Sequence, residues 1–313
     1  MIDIIIPAYN SHNTIYNCLF SVLNQSIVKK LNVYLIDDCS DNKYDDVYNF
    51  FKDKLNIKII RLDSNRGPGY ARQIGINKSN SDYIIFLDSD DVFYDSYSVE
   101  NIYKEITSTN SDLVFSNMVE KNGDELIDRY GGIDSLHSKI YKREFIINNN
   151  IIFPNTYNSE DVSFNHLFLL NKPIVSFCST KVYAYRRRKN SLTMTEDYRK
   201  NKHIKCYCDN LIWVLEYAKE NNINPDNIGE LLSFSFSYLY YYFTFKTSIE
   251  DKSIKHVYKL IPYYLEYFNN IKKETQNRHL EEWISNRDKY RFDFSFNEFI
   301  NVLKKGYEEV KKW

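Results

Sequence analysis

YIIFLDSDD, residues 83–91, runs a mostly apolar segment straight into three carboxylates. An apolar run bounded by polar residues reads as a buried strand. Its surroundings decide the sheet. Upstream lie the apolar runs Ile4-Ile5-Ile6, 31–36 and 57–62. Segments of helical period separate them: 14–25, with Ile15, Cys18, Leu19, Val22 and Leu23 on one face; 45–54; and 68–77, with Pro68 in its first turn. Asn13 or Ser11 is placed to cap the first. Downstream, 98–107 reads as a helix and Leu113-Val114-Phe115 as a fifth strand. Continuous apolar strands separated by helices predict an α/β fold, a doubly wound and mostly parallel sheet flanked by helices on both faces. Such sheets bind ligands outside the carboxyl ends of their strands.

Beyond this core the pattern loosens. Lys121-Asn122-Gly123-Asp124 is a hairpin signal. A helix is expected over 161–170, and strands over 174–177 and 181–185. After residue 195 the strand–helix alternation stops. Helical spacings such as Leu211-Leu215-Ala218 and Phe299-Leu303-Gly306-Val310 predict an added C-terminal helical region, so the expected division is 1–195 and 196–313.

Composition narrows the function classes. The chain has 313 residues, 43% hydrophobic and 27% charged, with a formal net charge of -1, as expected of a globular chain without a general affinity for nucleic acid. The five cysteines, Cys18, Cys39, Cys178, Cys206 and Cys208, are odd in number and scattered, which points to reduced thiols in a cytoplasmic protein. Cys206 and Cys208 with His203 lack zinc-knuckle spacing. Cys39 reads as a small buried residue. No basic leader precedes the first apolar run, and no stretch approaches the ~20 apolar residues of a membrane span. Phe299, Leu303, Val310 and Trp313, with Lys304, Lys305, Lys311 and Lys312, would suit peripheral contact with an anionic membrane at its inner face. Packing against the first domain or a second subunit is the favoured alternative.

Four strand ends carry polar clusters: Pro7-Ala8-Tyr9-Asn10, Asp37-Asp38-Cys39-Ser40, Asp63-Ser64-Asn65-Arg66-Gly67 and Asp88-Ser89-Asp90-Asp91. On an extended chain Asp88 and Asp90 would share one side, about 6–7 Å apart. Their repulsion raises both pKa values. A divalent Mn2+ or Mg2+ would relieve it and could hold a diphosphate. A solvated turn with helix-capping Asp residues is the plain alternative. Glu160 and Asp161 open a helix, where acids are favoured on structural grounds alone. Arg186, Arg187, Arg188 and Lys189 form a basic run suited to bidentate phosphate contacts, or to a solvated surface.

Taken in order, IIIPAYN, IDDCS, NRGPGYARQIG, YIIFLDSDD and SEDVSFN resemble the glycosyltransferases of family 2, over roughly residues 1–195. The resemblance implies a GT-A fold and an inverting transfer of sugar from a nucleoside diphosphate, most simply UDP, to a hydroxyl of a glycan or surface-polysaccharide acceptor. By it, Pro7, Ala8, Tyr9 and Asn10 line the base, and Asp38 accepts from a uracil-type N–H, with capping of the next helix as its rival role. Arg72 lies near the base or diphosphate. Asp88 and Ser89 lie in the donor site, and Asp90, with Asp88, holds the metal. Asp161 is the general base, Glu160 orients the site or meets the acceptor, and Arg188 closes over the diphosphate. One base opposite one departing diphosphate suits a single displacement. A nucleotidyltransferase would want a basic, Gly-rich loop after the first strand. A non-catalytic nucleotide-sugar-binding protein would more naturally lack one of the two acidic motifs.

Overall fold

The computed structural model describes residues 1–123, 125–129, 131, 135–156, 159–187, 203–229, 231–232, 235, 238–239, 254–268, 301, 305 and 308. The chain divides into two compact units, Met1–Met194 and Thr195–Trp313.

In the first unit, β1 (Ile2–Ala8), β2 (Leu31–Asp37), β3 (Asn56–Arg61) and β4 (Tyr83–Phe86) are joined by α1 (His12–Leu23), α2 (Asp45–Phe51) and α3 (Pro68–Lys78). The strands are parallel in the order β3-β2-β1-β4. β1 is buried along its whole length because helices cover both faces, which is why its sequence does not alternate. β3 alternates exposed and buried residues at its start, as an edge strand should.

The rest of the sheet is mixed. β5 (Val92–Phe93), α4 (Ser98–Thr109), β6 (Leu113–Asn122), β7 (Glu125–Arg129), β8 (Lys139–Lys142), α5 (Arg143–Asn148), α6 (Glu160–Leu170) and β9 (Val175–Arg186) follow. β8 runs antiparallel between β4 and β6. β6 pairs parallel with β9, and β5 closes antiparallel on β9. β6 and β7 form the expected hairpin, with Asn122 opposite Glu125 and Gly123 at a φ of 63°, the left-handed region glycine favours. The two strands expected at 174–177 and 181–185 are one strand. Its register with β6 slips between Ser116 and Asn117, where β9 carries extra residues, and that bulge interrupts the sequence pattern.

Under α6 lies an aromatic layer. Phe153 stacks on Phe164 at 4.2 Å, and Phe86 meets Phe153, Phe164 and Tyr141 edge-on. The Tyr141 hydroxyl donates to Asn165 Oδ1 at 2.8 Å. This layer seats the first turn of α6 beside α3.

In the second unit, α7 (His203–Glu220) buries Leu211, Leu215 and Ala218, the spacing read from the sequence. Helices over Ile254–Tyr258 and Ile261–Phe268 accompany it, tied by Lys219–Glu266 and Lys259–Asp209 ion pairs. Phe299, Leu303, Gly306 and Val310 lie outside the described residues. Among those described, no helix is long and apolar enough to cross a membrane.

α3 rests on β1 so closely that a Cβ at Gly75 would lie 2.3 Å from Ile5 Cγ2. The better helix propensity of alanine is worth about 1 kcal/mol, while overpacking costs about 1–3 kcal/mol. Gly75→Ala is therefore expected to lower the melting temperature. An equal or higher value would contradict this packing.

Candidate active site

The parallel register brings three strand ends into one row, with Ala8 beside Asp37 and Asp37 beside Arg61. The loops beyond them are sewn together. The Asn10 N–H donates to Ser40 Oγ at 2.9 Å, and the Asn10 side chain exchanges two hydrogen bonds with Asp41. Pro7 and Ala8 are buried, and Tyr9 stands exposed beside them. Asp37 pairs with Arg61 at 2.6 Å and accepts the Ser40 N–H.

Asp38 does not cap the next helix. Its two oxygens accept the N–H groups of Arg66 and Gly67, each at 2.8 Å, fixing the loop that starts α3. Burial raises its pKa, against the pull of those two N–H groups. Cys39 is half-buried, not buried, and holds a φ of 61°. Asn10, Ser138 and Ser159 also have positive φ, so four of the eight such non-glycine positions among the described residues lie in or beside these loops. Backbone strain of this kind gathers at functional sites.

The acidic stretch after β4 is not extended. The Asp91 N–H donates to the Asp88 carbonyl at 3.0 Å, so the chain turns at once and the expected pairing of Asp88 with Asp90 along a strand does not form. The carboxylates that converge are Asp88 and Asp91, together with His137, whose ligand atoms lie within 4.8 Å of one another. His137 Nε2 is 3.3 Å from Asp88 Oδ2 and 4.0 Å from Asp91 Oδ2. Asp91 also accepts the Tyr183 hydroxyl at 2.7 Å and the Arg186 N–H at 2.8 Å, which ties the start of the basic run to this loop. Ser89 is buried, its Oγ 2.7 Å from Ser11 Oγ. Asp90 is half-buried on the same turn. Arg188 lies outside the described residues.

Arg72, expected near the base or diphosphate, meets Asp88 Oδ1 through Nη2 and Glu160 Oε1 through Nη1, both at 2.7 Å. Burial acts to discharge the guanidinium, but the Asp88 and Glu160 carboxylates outweigh it and hold it charged. Burial likewise opposes ionisation of Asp88, yet Arg72 and then His137 keep its pKa well below the usual range. For Asp91, burial and the neighbouring Asp90 and Asp88 push the carboxyl up. Burial also raises Glu160, with Arg72 opposing and Asp161 adding. His137 is lowered by burial but raised overall by its bond to Asp88. Asp161 is half-buried in the first turn of α6, and among the described residues its carboxylate has no hydrogen-bond partner.

Asp91, which the family resemblance allows to assist the metal or to cap the next helix, is a convergent acid; His137 the sequence reading missed altogether. A lone histidine before a short strand carries no local signal; only the pairing of β8 with β4 brings it to Asp88.

The profile of glycosyl transferase family 2 matches residues 3–175, more than half of the chain. The chain belongs to this family. The family-2 chain is 28% identical over 212 residues to the poly(ribitol-phosphate) beta-N-acetylglucosaminyltransferase TarS of Staphylococcus aureus, covering 63% of this chain and 37% of TarS. It is 30% identical over 222 residues to the minor teichoic acid biosynthesis protein GgaA of Bacillus subtilis, covering 63% of this chain and 49% of GgaA. It thus spans about a third to a half of those two relatives. The crystal structure of S. aureus TarS 1-349 in complex with UDP-GlcNAc superposes with a TM-score of 0.68 at 22% identity, over 83% of this chain and 80% of that one. That likeness makes the fold GT-A.

Removing the Asp38 carboxylate strands the Arg66 and Gly67 N–H groups, at about 1–3 kcal/mol. Asp38→Ala is expected to lower the unfolding free energy by that amount, and with it the denaturation midpoint, and Asp38→Asn, which keeps one acceptor, by less. An unchanged midpoint for Asp38→Ala would refute the loop-fixing role.

Proposed function

We propose that the protein is an inverting glycosyltransferase that moves a sugar from a UDP-sugar to a hydroxyl of a glycan or surface-polysaccharide acceptor. The observation that carries this reading is the meeting of two acidic groups at the sheet's carboxyl edge in a family-2 chain. The 88–91 turn suits the donor side, and the Glu160–Asp161 pair suits the acceptor side. TarS, a relative in sequence and in fold, is crystallised with UDP-GlcNAc and is named for N-acetylglucosaminyl transfer to poly(ribitol-phosphate). UDP-GlcNAc is therefore the first donor to test, and a polyol-phosphate polymer the first acceptor.

In this reading Pro7, Ala8, Tyr9 and Asn10 form the floor and rim for the base. Each Asp38 oxygen holds one N–H and keeps a second acceptor position, enough for the imide N–H of uracil. Asp88, on which Asp91 and His137 converge, would hold a divalent Mn2+ or Mg2+, with Asp90 joining from the same turn. A crowded carboxylate set of this kind suits such a cation. When bound, the cation stabilises the negative charge of the departing diphosphate. Ser89 would hold its place on the same turn, and closure of Arg188 over the diphosphate is a role that the family resemblance implies for a residue outside the described ones. Asp161 takes the proton of the acceptor hydroxyl, and its unpartnered carboxylate suits that work. Glu160, beside it, orients the first turn of α6.

Residues 1–195 would be the catalytic domain. Residues 196–313 would serve packing, acceptor selection or contact with the inner membrane surface, packing being the favoured role. The five thiols, all free, fit a reducing cytoplasm.

Calorimetric titration with UDP, with and without Mn2+, and release of UDP from UDP-GlcNAc test this reading. Asp161→Asn should abolish turnover and leave Mn2+-dependent UDP binding nearly intact. Asp90→Ala should weaken that binding itself. The reverse pattern would exchange the two roles, and the absence of UDP binding in the unaltered protein would overturn the donor assignment.

A further inference from the structure

One buried guanidinium touches both halves of the site. Arg72 is 6% exposed and Glu160 is 6% exposed, and neither is open to solvent for pairing elsewhere. One Nη of Arg72 holds Asp88, the first acid of the donor-side turn, and the other holds Glu160, the first residue of α6. Asp161 is the next residue on that helix. We propose that Arg72 is a positioning residue that registers the base against the donor, and not a donor ligand; this rests on the transferase reading above.

Three observations converge on this role. Both terminal nitrogens of Arg72 are committed to carboxylates, which leaves only Nε without a partner among the described residues. The fork is planar, so fixing one carboxylate fixes the direction from which the other must approach. The chain also makes room for the contact. A Cβ at Gly69 would lie 2.8 Å from Glu160 Cγ and 3.0 Å from Glu160 Cβ, so glycine at this position of α3 lets Glu160 reach Arg72. Ser159, which precedes Glu160, takes a φ of 59°, the strained conformation that turns the helix start inward.

Arg72 therefore couples α3, the 88–91 turn and α6 through a single group. Displacing a catalytic group by about 1 Å can cost on the order of 100-fold in rate while binding survives. Loss of Arg72 altogether would strand the buried Glu160 carboxylate and the half-buried one of Asp88, and endanger folding. Two milder variants avoid this. Arg72→Lys keeps the charge but has no fork. Gly69→Ala keeps Arg72 and both acids but pushes Glu160 aside.

In both variants kcat for UDP release from UDP-GlcNAc should fall by about 100-fold, while the Kd for UDP with Mn2+ stays within about threefold of the unaltered protein. Hydrogen–deuterium exchange should rise together in 86–92 and 159–164 in Arg72→Lys, with the β1–β2 amides unchanged. A merely stabilising ion pair would lower the melting temperature without separating kcat from UDP affinity. Three results would each overturn the inference: a kcat within about twofold of normal in Arg72→Lys, a UDP affinity that falls in step with kcat, or exchange that rises in only one segment. If the unaltered protein releases no UDP, the transferase reading fails, and the exchange result still decides whether Arg72 couples the two segments.

Discussion

The site is organised around a charge problem. Asp88, Asp91 and Glu160 are drawn together at one edge of the sheet, with Asp90 and Asp161 close behind. Carboxylates out of water and near one another resist ionisation. The guanidinium of Arg72, held between Asp88 and Glu160, is what lets two of them stay in place. Breaking such a buried pair by removing one partner costs about 3–5 kcal/mol, because the remaining charges are uncompensated. The strands, the glycine at 69 and the aromatic layer under α6 all bring these groups within reach of that one side chain.

The fold supplies the meeting place. A parallel sheet presents all its carboxyl ends on one side, so the loops after β1, β2, β3 and β4 must lie together. β8 then inserts beside β4 in the opposite direction. It delivers His137 on its way in and leads through α5 towards α6 on its way out. The acids of α6 thus reach the same edge from a part of the chain some seventy residues downstream of the 88–91 turn. The irregular backbone at Asn10, Cys39, Ser138 and Ser159 lies where regular elements give way to the site, and the buried sheet can bear that strain.

The sequence shows the frame of this arrangement clearly. β1 to β4 and their helices follow from long, locally periodic segments, and the four polar strand ends mark the carboxyl edge of the sheet from the sequence alone. The parts it hides are those fixed by distant pairing. β8 is only Lys139–Lys142, its apolar Ile140 and Tyr141 bracketed by lysines, and β5 has two residues. Neither is long enough to show a period. The turn at 88–91 was read as extended because a strand precedes it; the Asp91 N–H closing on Asp88 is a local choice no side-chain pattern announces. Arg72 was legible as a residue of the site, but its partner Glu160 is 88 positions away, and only the packing of α6 on α3 shows what its fork grips.

The most direct measurement is a crystal structure with UDP and Mn2+, with data collected at the manganese absorption edge. The account predicts an anomalous peak between the diphosphate and the 88–91 turn, with Arg72 still bridging Asp88 and Glu160. A diphosphate bound away from that turn, or an Arg72 that has left both carboxylates to grip the phosphates, would contradict it.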